Sequence, residues 1–123
     1  GVIVNTASIA GMVGGGRSIP YCASKAALIN LTLSLARTLG PEIRVNAVAP
    51  GFIEGDWLQN GLGEAYEQTK AGKITDTVLG KVSTPEDVAS GILAMVLAAN
   101  TTGHTLVIDG GDTVGPKISK GLK

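Results

Sequence analysis

Residues 2–39 read VIVNTASIAGMVGGGRSIPYCASKAALINLTLSLARTL. The consecutive β-branched residues Val2-Ile3-Val4 predict a strand buried on both faces in a parallel sheet, with Asn5 and Thr6 beginning its polar end. A glycine-rich loop follows, then a long helix. Ser18 or Ile19 caps that helix, and Pro20 suits its first turn, where a missing N–H costs nothing. Leu28, Leu31, Leu35 and Leu39 recur at spacings of three and four, an apolar stripe that reads as core, and Gly40-Pro41 stops the helix.

Tyr21 and Lys25 lie four residues apart, so on a helix they project from one face, one turn above the other. A free phenol is a poor acid or base near neutrality, but a fixed ammonium a few ångströms away favours the phenolate, and Lys25 is expected to supply that charge. Ser8 closes the strand at its carboxyl end, where open α/β sheets bind ligands. Two hydroxyls, those of Ser8 and Tyr21, are thus expected to converge on one substrate oxygen.

The loop Gly11-x-x-x-x-Gly16-Arg17-Ser18 follows a strand and precedes a helix, as a phosphate-binding loop does, with arginine in place of lysine. A planar guanidinium replaces that lysine's point charge poorly. The loop is therefore expected to be a flexible connection beside the site and not a nucleotide cradle.

Farther along, Ile43–Ala49 predicts a second strand, ended by a Pro50-Gly51 turn that lets the backbone approach a ligand closely. From Phe52 to Val82 the chain is mixed and glycine-punctuated, with Trp57, Leu58, Leu62 and Tyr66 among charges. It reads either as a mobile segment or as a surface helical hairpin covering the core. Thr84-Pro85-Glu86-Asp87 is a helix start, with Val88, Ile92, Met95, Val96 and Ala99 following at helical spacing. Thr105–Ile108 predicts a third strand, and Asp109-Gly110-Gly111 turns out of it.

A serine after a strand, a tyrosine thirteen positions on and Tyr21-x-x-x-Lys25 resemble the active site of the short-chain dehydrogenase/reductase family. Arg44–Ile53 and Thr102–Gly111 also look like the carboxyl-terminal half of that family, in particular of 3-oxoacyl-[acyl-carrier-protein] reductases. The resemblance covers nearly the whole chain, in the family's order. It implies an α/β fold: a partial Rossmann-type doubly wound parallel sheet, its last three strands with flanking helices. Residues 1–111 would form one half of a single domain and 112–123 a polar tail carrying Lys117, Lys120 and Lys123.

The implied activity is hydride transfer between NAD or NADP and a ketone or secondary alcohol, with Ser8, Tyr21 and Lys25 catalytic. Pro50, Gly51 and Ile53 would contact the nicotinamide along with Tyr21 and Lys25, and Trp57 and Leu58 would close over the substrate. The family commonly has threonine four residues after Gly51, where this chain has Gly55, so one cofactor contact is expected to be missing. The long helix, with Ala23, Ala26 and Ala27, would line a homo-oligomer interface, dimer or tetramer.

Composition narrows the alternatives. In 123 residues, 44% apolar and 16% charged, ten basic and ten acidic side chains cancel, so neither nucleic acid nor an anionic membrane is favoured by charge. No apolar run spans a bilayer, no basic start marks a signal peptide, and a single cysteine, Cys22, suits the reducing cytoplasm. His104 has no neighbours at metal-ligand spacing, so no metal is expected.

The glycine-rich turn and ribose-reading residue of dinucleotide binding do not occur in these residues, so the segment resembles the second half of a reductase. By itself it is expected to bind cofactor poorly and to expose the edge of its first strand. The competing reading is a non-catalytic remnant or assembly subunit.

Overall fold

The computed structural model describes residues 1–118, so Lys120 and Lys123 of the expected tail lie outside the described residues. Three strands, β1 (Val2–Thr6), β2 (Arg44–Pro50) and β3 (Thr105–Ile108), form one parallel sheet in the order β1-β2-β3. Val2 to Thr6 pair with Arg44 to Val48, and Ala47 to Pro50 with Thr105 to Ile108. The helices are a single turn, α1 (Ala10–Val13), then α2 (Ile19–Leu39), α3 (Asp56–Leu62), α4 (Tyr66–Asp76) and α5 (Pro85–Leu97).

Parallel neighbours need long crossovers, which α2 and α5 supply. Alternation along the strands puts the two helices on opposite faces. Asn5 faces α2, donating its amide to the Thr32 hydroxyl at 3.1 Å. Its neighbour Val4 faces the other way and packs with Val48, Val88, Ile92 and Met95 under α5. The sheet is therefore doubly wound.

Burial on both faces holds for β2, whose Val45, Asn46, Ala47, Val48 and Ala49 are all 0% exposed. It does not hold for β1: Val2 is 37% and Ile3 36% exposed, because β1 pairs on one side only among the described residues. The leucine stripe is corrected as well. Leu31 is 48% exposed, and the buried residues of α2 are Thr32 and Ala36. Asn5 and Ala47 share a face through their pairing, so α2 lies against small residues there. Small side chains on the helix allow close approach, while Leu28, Leu35 and Leu39 flank that line half-buried.

Both ends of α5 are fastened. At its start the Thr84 hydroxyl accepts from the Asp87 N–H at 3.1 Å and the Asp87 carboxylate accepts from the Thr84 N–H at 2.9 Å. At its end Arg44, the first residue of β2, donates to the carbonyls of Met95 (3.0 Å), Ala98 (2.9 Å) and Thr101 (3.3 Å) through Nη1 and of Val96 (2.6 Å) through Nη2. The last carbonyls of a helix have no intrahelical partners and carry the negative end of its dipole, so a guanidinium satisfies both needs. Midway, any side chain at Gly91 would run into Ile108.

Between β2 and α5 the chain is helical. Residues 56–76 form α3, a 3-10 turn (Gly63–Ala65) and α4. The base of this excursion is closed by two backbone bonds, Glu54 N–H to the Ser83 carbonyl at 2.9 Å and Ser83 N–H to the Phe52 carbonyl at 3.0 Å. Beyond β3, Asp112–Val114 makes a further 3-10 turn.

Candidate active site

The β1–β2 ladder continues past the strand. Ala7 N–H donates to the Val48 carbonyl at 2.8 Å and Ile9 N–H to the Pro50 carbonyl at 3.1 Å, which sets Ser8 beside the Pro50-Gly51 turn. The half-buried Ser8 hydroxyl oxygen accepts from the Ala10 N–H at 3.1 Å. Since a hydroxyl both donates and accepts, its proton stays free for another acceptor.

Ser18 caps α2, its hydroxyl accepting from the Tyr21 N–H at 3.3 Å, so Tyr21 stands in the first turn and Lys25 one turn on. Tyr21 is 40% exposed. The Lys25 ammonium folds back to donate to the Thr6 carbonyl at 3.0 Å and lies 5.7 Å from the centroid of the Tyr21 ring. The amine is thus tied to the carboxyl end of β1, two residues from Ser8.

The phosphate-loop spacing has a packing cause. A β-carbon at Gly11 would lie 2.6 Å from both the Ala26 nitrogen and the Lys25 carbonyl carbon, so this glycine lets α1 rest directly on the backbone of α2 at Lys25. A β-carbon at Gly16 would lie 3.0 Å from Cys22 Sγ. Arg17 Nη2 donates to the Gly61 carbonyl at 3.0 Å, and Ser18 is the cap already described. Far from being a flexible connection throughout, the segment begins with a helical turn that docks Ser8's neighbours against Lys25.

At the end of β2, Gly51 N–H donates to the Ile108 carbonyl at 2.9 Å, and a β-carbon there would come within 2.9 Å of Asp109 Cβ. Glycine is required for that passage. Two residues on, Ser83 bonds the groups flanking Ile53, so the N–H and C=O of Ile53 itself face the opposite side of this parallel bridge. They form a donor–acceptor pair of the kind a carboxamide needs. Gly55 has φ of 155°, a conformation that side chains rarely adopt, which accounts for glycine where the family commonly has threonine.

Asp109 fixes the neighbouring turn. Its carboxylate accepts from the Gly111 N–H, the Thr113 N–H and the Thr113 hydroxyl, each at 2.8 Å. Burial pushes its pKa up, but these hydrogen bonds prevail and hold it below the usual carboxylate value. A depressed folded pKa contributes stability that is full above the unfolded value, about 4, and is lost as the pH falls through the lower folded one. Stability is therefore expected to fall below about pH 4, and Asp109→Asn to flatten that limb in denaturant titrations repeated across pH.

Trp57 and Leu58 sit on α3, Trp57 78% exposed and Leu58 half-buried. With Ile53, Pro85, Val88, Ala89 and Ile92 they line a mainly apolar groove of about 450 Å³ between α3 and α5. Among the described residues no hydrogen bond joins them to Ser8 or Tyr21. Of two further residues here, Lys70 was missed in the sequence and Tyr66 was named there. Tyr66 is buried, its hydroxyl accepting from the Gly55 N–H at 3.3 Å, and Lys70 pairs with Glu54 at 2.7 Å. The aromatic Tyr66 amid charges was the available signal.

Among the described residues there is no cluster of three or more His, Cys, Asp or Glu able to hold a metal, and no helix long and apolar enough to cross a membrane.

A family model described as Enoyl-(Acyl carrier protein) reductase matches residues 1–113. The chain is 40% identical, over 93% of its length, to the short-chain dehydrogenase/reductase homolog YusR of Bacillus subtilis, covering 84% of that protein. It is 41% identical, over 92% of its length, to the 3-oxoacyl-[acyl-carrier-protein] reductase FabG of Chlamydia pneumoniae but spans only 45% of it. A solved structure of ElxO with NADP bound superposes with a TM-score of 0.80 at 38% identity, covering 93% of this chain and 47% of that one.

Proposed function

The chain belongs to the short-chain dehydrogenase/reductase family, and from that premise we propose that it carries the catalytic groups of a cytoplasmic, homo-oligomeric oxidoreductase interconverting a ketone and a secondary alcohol. The observation that carries the reading is the Lys25 ammonium, tied to the Thr6 carbonyl at the carboxyl end of β1 while lying 5.7 Å from the Tyr21 ring centroid.

Tyr21 gives its proton to the carbonyl oxygen in reduction and takes it from the alcohol in oxidation. Ser8 donates its unspent proton to the same oxygen, and the Lys25 charge adds positive potential where negative charge develops. NAD or NADP, when bound, supplies or accepts the hydride. Ile53's outward N–H and C=O suit the carboxamide of such a cofactor, with the Pro50-Gly51 turn beside it. Lys25, which has three donors and spends one on Thr6, suits the ribose. The NADP in ElxO supports this choice of cofactor class. Trp57 and Leu58 contact the substrate's apolar part from α3, and exposed Ala23, Ala26 and Ala27 on α2 supply a surface for a second copy.

The test is ketone-dependent oxidation of NADH and NADPH by the expressed protein over a panel of 3-oxoacyl esters, sugars and steroids. Turnover with one cofactor is expected, and none with either would end the reading. A second reading, a family member that keeps the fold without turning over by itself, is favoured by the 45% span of the FabG relative. It predicts no measurable cofactor affinity for these residues alone.

A further inference from the structure

Tyr21, Lys25 and Thr32 stand at spacings of four and seven, so they share one stripe of α2. Thr32 is 0% exposed, and its hydroxyl is engaged both ways: it donates to the Leu28 carbonyl at 2.9 Å and accepts from the Asn5 side-chain amide at 3.1 Å. Asn5 directly precedes Thr6, whose carbonyl holds the Lys25 ammonium. Among the described residues these two, Asn5 to Thr32 and Lys25 to Thr6, are the hydrogen bonds that join α2 to β1. One ends on a long, flexible amine, which can follow a helix that turns or slides. The other ends on two short side chains, which cannot.

The line of α2 buried against the sheet consists of Thr32 and Ala36, with no large side chain to fix either the rotation or the slide of the helix. A buried polar pair supplies that choice, because another register would strand an amide or a hydroxyl away from water. We propose that Asn5 and Thr32 are positioning residues: their bond sets the register of α2 on β1, and through it keeps the Lys25 ammonium at the Thr6 carbonyl with Tyr21 one turn away. The placement is a property of the chain itself; its effect on turnover rests on the oxidoreductase reading.

Acylation of the Lys25 amine by dilute acetic anhydride, read by mass spectrometry on the full chain, tests the placement without turnover. Thr32→Val, which keeps the shape and removes the hydroxyl, is expected to speed labelling of Lys25 about fivefold relative to the other lysines, the population shift that one net hydrogen bond is worth. Thr32→Ser should restore the parent rate. Asn5→Ala breaks the same bond from the strand, and combined with Thr32→Val it should add nothing further. Met95→Ala, which opens a cavity under α5, lowers stability without touching the Asn5–Thr32 bond and should leave Lys25 at the parent rate. Unchanged labelling in folded Thr32→Val, or an equal rise in Met95→Ala, overturns the proposal; should Thr32→Val not fold, Asn5→Ala decides by the same measure. In turning-over protein Thr32→Val lowers kcat by a similar factor and leaves the ketone KM within about twofold, and an unchanged kcat beside faster labelling overturns the catalytic half of the proposal. A parent chain that shows this labelling pattern without turnover supports the placement and counts against the oxidoreductase reading alone.

Discussion

Tyr21→Phe is expected to lower ketone turnover by about 10²–10⁴-fold, the range of a positioned general acid–base group, while leaving thermal stability nearly unchanged. The separation follows from the contacts. Tyr21 is 40% exposed, and its hydroxyl has no hydrogen-bond partner among the described residues, so removing one oxygen strands nothing and opens no cavity. The backbone bonds that seat it in the first turn of α2 stay in place. Lys25→Met is the less clean experiment, because it also removes the tie to the Thr6 carbonyl and so mixes a structural loss with a chemical one. Measuring kcat and the unfolding midpoint on the same preparation checks the point; retained turnover within about twofold would remove Tyr21 from the proton path.

Gly11→Val should be the most damaging single change to the fold itself. The added β-carbon would meet the Ala26 nitrogen and Lys25 carbonyl carbon at 2.6 Å and the Lys25 oxygen at 2.9 Å. These are backbone atoms in the middle of a long helix and cannot swing aside as a side-chain tip would. α1 must lift from α2, at a cost of about 3 kcal/mol, the upper part of the usual overpacking range. For a chain of this size that lowers the melting midpoint by roughly 10 °C. Gly14→Ala is no substitute control, because its φ of 69° penalises any side chain; Gly15→Ala, with only a 3.8 Å contact to Val13, should be nearly silent. Were the glycines of this loop a phosphate cradle, Gly11→Val would leave stability intact and cost anion affinity instead. A denaturant midpoint that does not move would revive that assignment.

What could be read beforehand was local. The run Val2-Ile3-Val4, the cap Ser18 with Pro20, and the Thr84–Asp87 capping box each declare themselves within a few residues, and each lies where expected. The second strand runs Arg44–Pro50 and not Ile43–Ala49, the usual uncertainty of an end. What stayed hidden depends on how elements cross. Whether Leu31 or Thr32 faces the sheet is a matter of a rotation that periodicity leaves open. Gly11 meets Lys25 only because α1 lies on α2 at one angle, and the bonds from Arg17 to Gly61 and from Arg44 to Met95 span 44 and 51 positions. The proximity of Lys25 to the end of β1 was foreseeable in kind, but its acceptor, a backbone carbonyl, has no sequence signature.

The four carbonyls gathered by Arg44 are uncharged, whereas the turn around Asp109 depends on a carboxylate. Acid therefore strikes the two extremities of the sheet unequally. The buckle joining β2 to the tail of α5 has acceptors with no proton to gain, while the loops framing the crevice loosen as Asp109 takes one up. Souring the solution should loosen the Asp109 turn and the Thr84–Asp87 cap, both built on carboxylates, before the Arg44 buckle at the far end of the sheet gives way.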